Sequence, residues 1–134
     1  EILSRLVGSE MCIRDRVTYN VTVASGTNEY GTGNKYYITS LSSSPSPILR
    51  LTEGQVWVFD QSDSTNGGHP FRFSTTPNGT HAGGSEYTTG VTTSGIPGQS
   101  GAFTRIEVAA GAPTLYYYCN VHSGMGGTAY TPNA

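Results

Sequence analysis

Apolar residues recur at every second position in one short segment after another, and polar turn residues separate the segments. In VTYNVTVA (17–24), Val17, Tyr19, Val21 and Val23 alternate with Thr18, Asn20 and Thr22. Successive side chains of a strand point to opposite faces, so a period of two marks a half-buried strand. KYYIT (35–39), PILRLTEG (47–54), FRFS (71–74), AFTRIEV (102–108) and TLYYYC (114–119) are further strands of this kind. QVWVFD (55–60) is nearly all apolar and rich in β-formers, as in a central strand. Between them lie SGTNEYGTGN, SLSSSPSP, QSDSTNGG and AAGAP, which carry turn chemistry. Residues 75–101 are dominated by Gly, Thr, Ser and Pro and read as a long decorated loop with one short strand at 86–89. The tail after Cys119 reads as loop closing on a brief strand. No segment has a helical period and there is no internal repeat. Seven or eight short strands punctuated by turns predict an all-β sandwich or barrel.

A chain of 134 residues fits one domain and is long enough to bury a core without disulfides. Charged residues make up only 12% of it, about half the usual share, and the net charge of −2 is too small to drive disorder. Nine Tyr and one Trp add large apolar area to a modest aliphatic content. The seven basic residues are scattered, which excludes a phosphate-binding stripe and hence a nucleic-acid partner. No apolar run approaches the length of a membrane span, and no basic amphipathic helix is present.

Residues 1–16, EILSRLVGSEMCIRDR, differ in character from the rest of the chain. They hold three of the nine acidic and three of the seven basic residues, and no Tyr, Thr or Pro. The stretch LVGSEMCIRD resembles translated sequencing-adapter read-through. We therefore expect 1–16 to be a non-native or disordered leader and 17–134 to be the folded domain, with no export signal visible. Cys12 falls in the leader, which leaves Cys119 as the cysteine that matters.

The chemistry concentrates in YYYCNVHSGMGG (116–127), where Cys119, His122 and Met125 stand three apart just after a strand. His69 comes after a Gly-Gly turn and opens the strand FRFS. One thiolate, two imidazoles and one thioether form the ligand list of a blue-copper site, with the Met as weak axial donor. A strand end fixes Cys119, a tight loop returns a donor every third residue, and the fourth donor has to come from a neighbouring strand.

TLYYYCNVHSGM (114–125) resembles the C-terminal copper loop of plastocyanins and amicyanins, and its C-x2-H-x2-M spacing is similar to the short amicyanin form. LTEGQVWVFDQSD and GGHPFRFS resemble the same family's upstream strand and histidine-bearing strand, so the likeness covers roughly 51–127. The resemblance implies a cupredoxin-like Greek-key β-sandwich, with copper held by His69, Cys119, His122 and Met125. It implies single-electron transfer to a redox partner protein, with His122 as the electron's exit, and no catalysis. Cupredoxins commonly carry Asn directly after the upstream His; Pro70 stands there instead, and it offers no side-chain or backbone donor to tie the ligand loops together. The GHPFRFS, EYTTGV, GIPG and LYYYC segments also resemble a domain of marine phage and bacterial structural proteins. That likeness implies a structural or interaction module beside neighbouring structural proteins. The settings implied are periplasmic, extracellular or virion-associated.

Each residue also has a plainer reading. Cys119 fits a buried free thiol, His69 a turn residue bonded to nearby backbone, and Met125 a hydrophobic plug. His81, in NGTHAGG, is expected to be exposed rather than a ligand. Of Tyr116, Tyr117 and Tyr118, at least one is expected in the core. No Asp or Glu lies near the Cys-His loop to orient a nucleophile, and Met is a poor zinc ligand. The sequons at Asn20 and Asn78 matter only in a eukaryotic secretory setting.

Overall fold

The computed structural model describes residues 16–133. The leader expected over 1–16 lies outside these except for Arg16, which opens the first strand. Among the described residues are eleven strands, two short 3-10 turns and no α-helix. In chain order the first six strands are β1 (Arg16–Asn20), β2 (Thr22–Asn28), β3 (Gly31–Tyr37), β4 (Leu49–Arg50), β5 (Val56–Asp60) and β6 (Phe71–Ser74). The remaining five are β7 (Glu86–Tyr87), β8 (Val91–Ser94), β9 (Phe103–Glu107), β10 (Leu115–Cys119) and β11 (Gly127–Tyr130).

One sheet has the order β1-β5-β9-β8 and the other β4-β11-β10-β6-β7, while β2 and β3 pair as a separate hairpin. Inward residues of both sheets meet in one core, which makes the architecture an all-β sandwich. Phe59 of the first sheet stacks on Phe71 of the second, with centroids 4.6 Å apart, and Phe71 stacks in turn on Tyr117 at 5.1 Å. Tyr36 from the hairpin closes this aromatic column against Phe71 at 5.1 Å. Each fully buried ring of this kind contributes on the order of 2–3 kcal/mol by leaving water.

The segments expected at 55–60, 71–74, 102–108 and 114–119 are all strands, and QVWVFD is flanked by strands on both sides. The segment 17–24 is two strands rather than one. Its alternation runs unbroken through Val21, but the partner changes there: β1 pairs in parallel with β5, and β2 pairs antiparallel with β3. Buried Val21 makes the switch, its N–H bonded to the Asp60 carbonyl and its own carbonyl taken by the Asn66 amide. Only Leu49–Arg50 of the expected strand 47–54 joins a sheet. Residues 75–101, expected to be mostly loop, also hold the 3-10 turn Gly79–Ala82 and a second short strand, β8.

Candidate metal centre

The ladder between β6 and β10 builds the site. Cys119 ends β10 and pairs with Phe71 of β6. His69 lies two residues before Phe71, so one ladder closes the fifty-residue gap between the two side chains. One rung beyond, the Asn120 N–H donates to the Pro70 carbonyl at 3.1 Å. Pro70, which has no donor to offer, thus ties the two ligand segments together through its carbonyl.

Cys119 Sγ lies 3.8 Å from His69 Nδ1 and 3.8 Å from His122 Nδ1. All three donor atoms fall within 4.8 Å of one another. Nitrogen and sulfur ligands at about 2.1 and 2.3 Å from one first-row ion, held near 120°, stand roughly 3.8 Å apart. The group therefore has the donors and the spacing to hold a metal ion.

The surroundings fix this geometry. The Tyr36 hydroxyl and the Gln61 amide both donate to the His69 carbonyl, each at 2.7 Å. Gln61 Oε1 accepts from the Phe71 N–H at 3.0 Å, and its amide also reaches Asn66 Oδ1 at 3.1 Å. Burial first, and then the nearby His122 charge, hold the His69 imidazole below its ordinary pKa. That favours the neutral ring a metal needs. Burial, followed by the Cys119 charge, pushes the Tyr36 phenol well up, so it stays a donor.

His122 is exposed, and its N–H points at Cys119 Sγ from 3.4 Å. Met125 is buried in the core cluster at 1% exposure, and its carbonyl accepts from the Tyr36 N–H and the Ser46 hydroxyl. The close return of the loop requires glycine at 126, because a Cβ there would collide with the Tyr117 carbonyl. Lys35 is 3% exposed and donates to the Gly124 carbonyl at 2.7 Å, beside Asn28 Nδ2 at 2.8 Å. Burial lowers the Lys35 pKa.

The structure thus brings His69, Cys119 and His122 into one cluster and seats Met125 at the end of the same loop. His81 is exposed, and its ring bonds the Cys119 carbonyl, outside the donor cluster. Tyr117 and Tyr118 are both buried and Tyr116 is partly so. Sequence reading missed Tyr36, Lys35, Gln61 and Asn78 as supports of the site. Lys35 and Tyr36 lie in β3, whereas Gln61 and Asn78 lie in connections, where strand alternation gives no signal.

No helix among the described residues is long and apolar enough to cross a membrane. Set against known protein families, curated proteins and solved structures, the chain matches none.

Proposed function

We propose that the domain is a cupredoxin-like carrier that binds one copper ion at His69, Cys119, His122 and Met125 and passes single electrons to a partner protein. The observation that carries this reading is the pair of equal 3.8 Å separations between Cys119 Sγ and the two Nδ1 atoms. A thiolate and two imidazoles, with a methionine at the end of the same loop, favour copper over zinc, for which methionine is a poor ligand. Copper supplies a one-electron couple between its +2 and +1 states.

The chain's own residues then have distinct tasks. Cys119 ends a ladder strand, and His69 sits two residues ahead of its partner strand with its carbonyl held by Tyr36 and Gln61. His122 reaches the surface from the same loop and gives a partner access to the site's edge. Val121 beside it is 58% exposed, an apolar neighbour suited to a transient contact. Cys119 is fully buried and so is poorly placed to attack a substrate, which favours a carrier over a catalyst.

Titrating purified protein with Cu(II) tests the proposal. One equivalent is expected to give intense visible absorption from thiolate-to-copper charge transfer, and Cys119→Ser is expected to abolish it. Absence of the band in the wild type, or its survival in Cys119→Ser, would refute the reading. The structural or interaction module then becomes the better account.

A further inference from the structure

The segment after β6 reaches back to the ligand loop. Asn78 sits in the left-handed region at φ 61°, just ahead of the turn Gly79–Ala82. Its Oδ1 accepts the Gly124 N–H at 2.8 Å and its Nδ2 donates to Ser123 Oγ at 2.8 Å. Three residues on, His81 Nε2 lies 2.7 Å from the Cys119 carbonyl. A carbonyl only accepts, so this nitrogen carries the proton and the ring donates. The same short stretch therefore grips the loop at 119 and again at 123–124, with His122 between the two grips.

The stretch is itself pinned to the sheet. Gly79 has φ +54°, and a Cβ there would run into the Tyr118 ring, so only glycine lets the turn sit this close. The His81 ring meets Tyr118 edge-on, with centroids 6.1 Å apart and planes at 83°.

We propose that residues 78–81 are a staple that holds loop 119–125 in its ligand-bearing shape before any metal arrives. Asn78 and His81 act as positioning residues for Cys119 and His122. The proposal rests on the copper reading, because its purpose is to position ligands. Partners one step removed from a metal commonly change its affinity by 10- to 100-fold, and these two touch the loop through three hydrogen bonds.

Two measurements on the full chain test it. In metal-free protein, Asn78→Ala is expected to speed hydrogen exchange at the Gly124 amide at least tenfold, while the Phe59 and Phe71 amides keep their protection. Asn78→Asp keeps the acceptor and lets the Ser123 hydroxyl donate, so it is expected to restore most of the protection. In copper-loaded protein, Asn78→Ala and His81→Ala are each expected to release copper to a chelator at least tenfold faster, with His81→Gln close to wild type. Unchanged exchange at Gly124 overturns the staple whether or not copper binds. Unchanged copper release, in a wild type that does bind copper, overturns its positioning role alone. A wild type that takes up no Cu(II) overturns the copper reading and the staple's purpose together.

Discussion

The His69 imidazole is 8% exposed and faces a second imidazole, so its protonation is disfavoured first by burial and then by His122. Its folded pKa lies below the unfolded value of 6.5. The unfolded chain therefore takes up this proton first as pH falls. The stability linked to His69 is fully present above about pH 6.5 and is lost as pH drops from there through the lower folded value. Metal-free protein is expected to melt at progressively lower temperature between pH 7.5 and pH 5, and His69→Gln should flatten that slope. An equally steep slope in the variant would assign the effect elsewhere. At this scale Cys119 and His122 were legible as a pair because they stand three residues apart in one loop. His69 was legible only through resemblance to a known strand order. Lys35 and Asn78 were not legible, because their partner, the Gly124 peptide, is 89 and 46 residues away.

Between elements, the β6–β10 ladder joins the core to the site. Phe71 is fully buried, pairs with Cys119 and packs on Phe59, Tyr36 and Tyr117. Phe71→Ala is expected to cost about 3–5 kcal/mol by chemical denaturation, from lost transfer energy and the cavity left behind. The same variant should also lower copper affinity, since the rung beside Cys119 loses its support. A cost below about 1 kcal/mol would show that the column collapses to fill the gap. The strands here were readable from alternation, because burying one face leaves a period-two trace. Strand partners were not. Val17, Tyr19, Val21 and Val23 keep one rhythm while β1 and β2 join different sheets, since inward residues on either side of the switch feed the same core.

Over the whole molecule, an ion that binds only the folded state adds stability by mass action. Free copper at a hundredfold excess over its Kd adds about 2.7 kcal/mol. For a domain of this size that is a rise in Tm on the order of 10 °C, and Cys119→Ser should erase most of it. A melting temperature indifferent to Cu(II) would mean that the donors do not act together on the folded chain.

The rung that sets Cys119 beside His69 also orders events in time. In a nascent or partly unfolded chain Cys119 and His122 are already close together, whereas the distant imidazole of His69 arrives once the long excursion from Pro70 to Asn120 has closed. Tight capture should therefore come late in assembly, as a latch on a finished framework, and colour development during refolding should lag behind burial of Trp57.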